Sequence, residues 1–232
     1  MFENIKSDIN AAMERDPAAQ SKLQVLLTYS GIKAMIYYRV AHWFYAKGCK
    51  FFAFLLSARA KRKTGIDIHP GAVIGKGMFI DHGVGVVIGE TTEIGDNVTI
   101  YQGVTLGGTG KDVGKRHPTI RDNVMISAGA KILGPVVIGE GCKVGAGSVV
   151  LKDVPPHSTI VGVPGRVVRM HGVKYNDLDQ KLPDPILEEF ARINKRLAAL
   201  EDQLGVESCR YSISNQVIND DDKDKPKGQN NA

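Results

Sequence analysis

Residues 120–150 read IRDNVMISAGAKILGPVVIGEGCKVGAGSVV. In steps of six from Ile120 come Ile126, Ile132, Ile138, Val144 and Val150, all branched aliphatics. If such residues fill roughly a quarter of ordinary sequence, six in a row arise by chance about once in 4,000. Working outward, Ile88, Ile94, Ile100 and Leu106 form a second run, and Ile68, Ile74 and Ile80 a third. Four places after each aliphatic the residue is usually small: Ala72, Val84, Thr92, Val98, Val104, Val124, Ala130, Val136, Cys142, Ser148, Val154. Gly75, Gly89, Gly95, Gly107, Gly139 and Gly145 follow an aliphatic directly. This is a hexapeptide repeat, and it predicts a parallel β-helix in which each hexad is a short strand and a corner. The aliphatic points into a narrow core, the small residue fits beside it, and the glycine is expected to supply corner dihedrals. One coil cannot bury its apolar face alone, so stacked coils share a core. The spacing leaves the hand of the coil open.

The period breaks twice. Ile80 to Ile88 is eight residues, two too many. Leu106 to Ile120 is 14, which reads as two hexads plus two, and residues 107–119, GGTGKDVGKRHPT, read as an extruded loop. Sequences that obey local rules elsewhere tend to break them at functional sites. The two breaks hold His82 and His117. Asp67 lies 15 residues before His82, near the 18 of a three-hexad coil, which predicts a carboxylate one coil away that orients the imidazole. An imidazole so held takes a proton from a hydroxyl. Arg116 and His117 add a fork suited to a carboxylate and a second imidazole. Alone, His82 reads as a surface histidine at a corner; the aspartate spacing and both breaks favour catalysis. No GxSxG nucleophile motif occurs, and Cys142 sits at a small inward position, so direct transfer between two bound substrates is favoured over a covalent intermediate.

Residues 1–64 read as a helical domain. Ile5, Ile9 and Met13 keep helical spacing up to Asp16-Pro17. A second helix is expected from Ser21 to Ala46, bent or split at Gly31, and a third from Lys50 to Lys63. The basic run Arg59, Lys61, Arg62, Lys63 reads as a solvated helix end. Residues 65–170 read as the β-helix. Residues 171–206 read as a C-terminal helix with Ile186, Phe190, Ile193, Leu197, Leu200 and Leu204 at heptad steps, which suits a coiled coil between subunits or packing on the solenoid. Residues 207–232, with Asp220, Asp221, Asp222 and Asp224, read as a disordered tail. Net charge is +5, which by itself does not call for nucleic acid. No run reaches the roughly 18 apolar residues of a membrane span, and the N-terminus lacks an apolar signal core. Cys49, Cys142 and Cys209 suggest neither a disulfide framework nor a metal site, so a reducing cytoplasm fits best.

Six segments carry a family resemblance: GIDIHPGAVIGKG (65–77), IDHGVGVVIGET (80–91), VTLGGTGKDVGKRHP (104–118), GAKILGPVVIG (129–139), VGAGSVVLKDVPPH (144–157) and GVPGRVV (162–168). Together they resemble the serine O-acetyltransferase family over about residues 8–170. The resemblance implies an α+β chain: a helical N-terminal domain, then a left-handed parallel β-helix, assembled as homotrimers with sites between neighbours. It implies acetyl transfer from acetyl-CoA to the hydroxyl of L-serine, giving O-acetyl-L-serine and CoA, the first step of cysteine biosynthesis from serine. It makes His82 the general base and Asp67 its partner. The serine-binding positions fall on Asp81, Arg116 and His117, joined by Asp16 in RDPA (15–18) and Glu90 in VIGET. The CoA groove falls on Gly108, Thr109, Met125, Ala128, Lys143 and Ala146. No metal is implied, and L-cysteine is expected to inhibit at the serine site.

Two departures qualify the resemblance. Longer members carry extra N-terminal helices that join two trimers, and about 64 residues precede the solenoid here, which leaves a hexamer open. Many members end in isoleucine, which O-acetylserine sulfhydrylase captures; this chain ends GQNNA, so no tight tail-mediated complex with that enzyme is expected. Three other readings stand beside this one. A γ-class carbonic anhydrase shares the solenoid but needs three zinc ligands, of which His82 and His117 supply two. A non-catalytic solenoid would not require the GGTGK and KRHP loop. A sugar hydroxyl is the nearest alternative acceptor.

Overall fold

The computed structural model describes residues 2–110, 113–174, 192–194, 196–197 and 200. The chain divides into two units, 1–176 and 177–232. In the second, the described positions are helical and exposed; the rest of the heptad helix and the acidic tail lie outside the described residues.

Helix α1 (Phe2–Arg15) ends where Asp16-Pro17 cannot continue it. The single helix expected over Ser21–Ala46 is two, α2 (Lys22–Thr28) and α3 (Ser30–Ala46). Ser21 caps α2 by accepting the Gln24 N–H. The break is Tyr29, extended at φ −76 and ψ 117, rather than Gly31. Gly31 lies inside α3, where a Cβ would run into the Ile80 carbonyl, so it serves close approach of helix to coil. Helix α4 (Lys50–Thr64) ends on Gly65 in the left-handed conformation at φ 71. Among the described residues no helix is long and apolar enough to cross a membrane.

The coils follow. The first holds β1 (Asp67–Ile68), β2 (Val73–Ile74) and β3 (Phe79–Ile80); the second, β4 (Val87–Ile88), β5 (Glu93–Ile94) and β6 (Thr99–Ile100). The third holds β7 (Thr105–Gly107), β8 (Thr119–Ile120) and β9 (Met125–Ile126); the fourth, β10 (Lys131–Leu133), β11 (Val137–Ile138) and β12 (Lys143–Val144). Then come β13 (Val149–Val150), β14 (Ser158–Val161), β15 (Arg166–Met170) and β16 (Val173–Lys174). The coils stack in parallel register on three faces, and the coil is the left-handed β-helix of hexapeptide repeats. On the first face Ile68, Ile88, Leu106, Ile132 and Val150 align; on the second, Ile74, Ile94, Ile120 and Ile138; on the third, Ile80, Ile100, Ile126, Val144 and Ile160. All are buried. Each full burial contributes about 1.5–3 kcal/mol, so the stacked rows carry much of the stability of the coil. β15 then pairs antiparallel with both β14 and β16.

Both period breaks differ in detail from the sequence reading. The step from Leu106 to Ile120 joins adjacent faces, so the insertion is eight residues on one hexad rather than two on two hexads. In the first break the inward position is Val86, fully buried, while Val84 is 66% exposed. The two extra residues therefore lie in the turn 81–85. The glycines also differ. Those directly after the aliphatics do not take positive φ. They are needed because a Cβ on Gly75, Gly95 or Gly139 would strike the next coil. Left-handed corners fall three places after the aliphatic instead, at Gly77, Asn97, Gly103, Asn123, Gly129, Gly141 and Gly147.

An open coil leaves its first row of carbonyls unpaired, and the helical segment covers that edge. Tyr38 donates to Ala72 O at 2.6 Å, Ser57 to Ile68 O at 2.9 Å, and Arg15 to Gly77 O at 3.3 Å. Arg39 donates to Gly75 O at 2.8 Å and also pairs with Asp8 at 2.8 and 3.0 Å, both side chains buried. The Asp8 Oδ1 in turn accepts the Met78 N–H. These contacts fix α1 and α3 on the first coil and set the position of Asp16.

Candidate active site

Two corners of the coil carry the candidate residues. The corner between the third and first faces holds the turn from Asp81 to Gly85, tied by Gly83 N–H to Asp81 O at 2.6 Å and Gly85 N–H to Gly65 O at 2.9 Å. His82 sits at its tip at φ 57, uncommon for a side-chain residue, with its side chain 74% exposed. Its Nε2 is 3.9 Å from Asp81 Oδ1. Asp16, Asp81 and His82 face one cavity of about 430 Å³, which Tyr29, Gly31 and Ile80 also line. Asp16 Oδ2 accepts from the Tyr29 phenol at 2.5 Å and Oδ1 from the Ala18 N–H at 2.8 Å. These two bonds, that from Tyr29 first, hold the Asp16 carboxyl below the ordinary carboxylate range, and the Tyr29 hydroxyl is pushed up to about 12. Two carboxylates beside a histidine, with no lysine or arginine in the lining, suit a small cation.

The corner between the first and second faces holds the base of the loop. Thr91 gathers it: its Oγ1 accepts the Arg116 and His117 N–H groups, each at 3.1 Å, and its carbonyl accepts Lys115 Nζ at 2.7 Å. His117 Nδ1 accepts from the Thr91 N–H at 3.2 Å and lies 2.9 Å from Thr91 Oγ1, so a neutral ring carries its proton on Nε2. Burial, then the Arg116 guanidinium, push the His117 pKa below 6.5. Arg116 Nη2 meets Glu90 Oε2 at 3.2 Å, which leaves the rest of its fork for an anion. A Cβ on Gly89 would enter the His117 ring, so this repeat glycine also makes room for a site residue. His69 belongs here too: its Nδ1 accepts the Gly71 N–H at 3.0 Å, its ring lies against Tyr45 and Phe54, and burial lowers its pKa.

Asp67 stands on the first face in register with Val87, five residues past His82. Its Oδ2 accepts Lys61 Nζ at 2.7 Å, and the bond to His82 expected from the coil spacing is not formed in the single chain. The turn at 81–85 makes this coil 20 residues, from Ile68 to Ile88, and not 18, which sets Asp67 in register with Val87. Lys61, read from sequence as solvated, has this partner. The groove candidates divide in the same way. Met125 and Lys143 stack in one row of the third face, and Gly147 N–H bonds Ala128 O beside Ala146, on the corner below His82. Gly108 and Thr109 lie on the other corner, where Thr109 N–H reaches Arg116 O at 3.3 Å. Six residues separate corners along a face, roughly 20 Å at about 3.3 Å per residue. Sequence reasoning missed Tyr29, Thr91 and His69. Tyr29 adjoins the helix break, and Thr91 and His69 stand inside the quoted GET and DIHP strings, so the letters were visible but their contacts were not.

Comparison with known proteins gives the family. Residues 1–36 match the serine acetyltransferase N-terminal family, and residues 117–152 match the bacterial transferase hexapeptide family (six repeats). The serine acetyltransferase of Bacillus pumilus (strain SAFR-032) is 55% identical over 205 residues, 88% of this chain and 94% of its own. The structure of Neisseria gonorrhoeae serine acetyltransferase in complex with serine superposes with a TM-score of 0.71 at 45% identity, covering 72% of this chain and 69% of that one. A serine acetyltransferase in complex with cysteine superposes equally well, at 45% identity and TM-score 0.71, over 72% of this chain and 70% of its own. With its helical start, its hexapeptide coil and its sequence aligned along nearly the whole of such a relative, the chain belongs to the serine acetyltransferase family, a family of acyltransferases.

Proposed function

We propose that the chain transfers the acetyl group of acetyl-CoA to the hydroxyl of L-serine by direct attack, with His82 as general base. The observation that carries this is the cavity where Asp16, Asp81 and an exposed His82 converge. Asp16 and Asp81 take the substrate ammonium, which places the side-chain hydroxyl toward His82. The imidazole removes the hydroxyl proton as the oxygen bonds to the thioester carbonyl carbon. The tetrahedral adduct then expels the CoA sulfur, and the imidazolium returns the proton to it, giving CoA and O-acetyl-L-serine. Asp67 orients and steadies the protonated ring once released from Lys61. Arg116, steadied by Glu90, and the Nε2–H of neutral His117 take the substrate carboxylate.

The two halves of this site stand on different corners, so we infer that a second copy supplies the second half. A heterologous contact repeated three times closes a ring, and a homotrimer in the cytoplasm is the assembly that fits. The same contact brings Gly108 and Thr109 of one subunit to Met125, Ala128, Lys143 and Ala146 of the next, which forms a groove for the pantetheine arm. L-cysteine carries the same ammonium and carboxylate and competes with serine. The test is acetyl transfer from acetyl-CoA across L-serine, L-homoserine and sugars. L-serine is preferred, and His82→Ala lowers turnover by about 10²–10⁴ while acetyl-CoA still binds. Asp67→Asn costs less, because orientation is lost but the base remains. Near-normal turnover of an assembled His82→Ala variant would overturn the assignment of the base.

A further inference from the structure

Tyr29 shares the cavity with Asp16, Asp81 and His82 and has no part in the chemistry above. It is held on both sides. Its N–H bonds Val25 O at the end of α2, its carbonyl accepts the Lys33 N–H at the start of α3, and its ring packs on the cluster of Ala11, Ala12, Val25, Ile32 and Phe79. Asp16 has less support of its own. It follows the last residue of α1 and is tied by its backbone N–H to Ala12 O and by Oδ1 to the Ala18 N–H. Arg15 beside it is directed away, to Gly77 O, Thr99 and Asn97. The phenol is therefore the side chain that fixes the second oxygen of Asp16.

We propose that Tyr29 is a positioning residue for the amino-acid substrate: its hydroxyl locks the Asp16 carboxylate so that the remaining lone pairs of both oxygens face the space shared with Asp81, where the substrate ammonium sits. The proposal rests on the reading of Asp16 and Asp81 as the ammonium site. Two like charges converge on that space, and an unrestrained Asp16 rotates away from Asp81 toward solvent. The Tyr29 hydroxyl opposes that rotation without adding a positive charge that would compete with the ligand. With its pKa pushed up to about 12, it stays a donor at any working pH. A lysine or arginine in its place would lock Asp16 as well but would neutralise it.

The experiment is a double-mutant cycle read in KM. Tyr29→Phe keeps the ring and its packing and removes only the hydroxyl. KM for L-serine rises roughly tenfold, as expected for a lost hydrogen bond to a charged group, while kcat and the KM for acetyl-CoA stay within about twofold. Calorimetric titration of L-cysteine shows a parallel loss of affinity, independent of turnover. In an Asp16→Asn background the same substitution adds nothing, because Tyr29 acts through that carboxylate. An unchanged KM for L-serine in Tyr29→Phe overturns the proposal, as does an effect of full size in the Asp16→Asn background. If Asp16→Asn itself leaves KM for L-serine unchanged, the ammonium site is wrong, and Tyr29 loses its role with it.

Discussion

At the scale of single residues, two imidazoles of the candidate site are biased toward the neutral form. His117 is the clearest case: Thr91 occupies Nδ1, and burial with the Arg116 charge keeps the ring neutral, so Nε2–H is ready to donate. His69, packed behind Tyr45 and Phe54, is depressed by burial as well. The consequence for stability has a definite sign. Both folded pKa values lie below 6.5, so as pH falls the unfolded chain takes up protons first. Stability from these groups is full above about pH 6.5 and is lost as pH falls below it. Melting temperature therefore falls between about pH 7 and 5. A His69→Gln, His117→Gln double variant shows a flatter dependence over that range; an equal slope in both proteins would sink this account. The residues readable in sequence were those at period breaks, because a broken rule is visible one letter at a time. His82, Arg116 and His117 all adjoin one, whereas Asp81 entered only through the family resemblance. Thr91 and Tyr29 break no rule and matter only through atoms 13 to 26 residues away, which no spacing argument reaches.

At the scale of elements, the hexad behaves as a unit with two inward positions. The first takes a large aliphatic and the second a small residue, and stacked hexads leave no room for solvent between them. Thr92 is the flaw in that pattern. It holds a second inward position, is fully buried, and its Oγ1 has no hydrogen-bond partner. Val98, Val104, Val124 and Val136 hold the equivalent place elsewhere. Thr92→Val keeps the shape and removes a desolvated hydroxyl, so it stabilises the fold by about 1 kcal/mol. In a chain of this size that raises the melting temperature by roughly 2–4 °C. An unchanged or lower melting temperature would mean that the hydroxyl finds a partner in solution. The six-residue period makes the inward aliphatic of β1 to β13 legible, but not the face of Ile120, because the loop hides how many hexads it spans. The helical cap was legible only as helices. What fastens it, Tyr38 to Ala72 O and Arg39 to Gly75 O, joins residues 34 and 36 apart with no periodic trace. The split at Tyr29 was likewise hidden, because a helical apolar pattern runs through it and Gly31 offers a plausible but wrong place to break.

At the scale of the whole molecule, the coil's triangular section constrains how the proposed site can be assembled. A face of one hexad holds its two corners apart by a contour of up to roughly 20 Å, longer than one serine. The proposed cyclic trimer would set the Asp81–His82 corner of one subunit against the Arg116–His117 corner of the next. On that proposal each interface holds one complete site with one half from each chain. His82→Ala and Arg116→Ala are both nearly inactive alone. When the two are co-expressed in equal amount and mix at random, one interface in four pairs an intact His82 corner with an intact Arg116 corner. Activity returns to about a quarter of the wild-type value per site, and light scattering gives three chain masses. Separately purified variants that do not exchange subunits stay inactive after mixing. If co-expression restores nothing while mixed trimers are present, the site is built within one chain and the two corners must approach each other by a change in the coil itself. If a His82→Ala, Arg116→Ala double variant co-expressed with wild type loses activity only in proportion to the wild-type chains, the halves do not cross, because shared sites lose it as the square of that fraction.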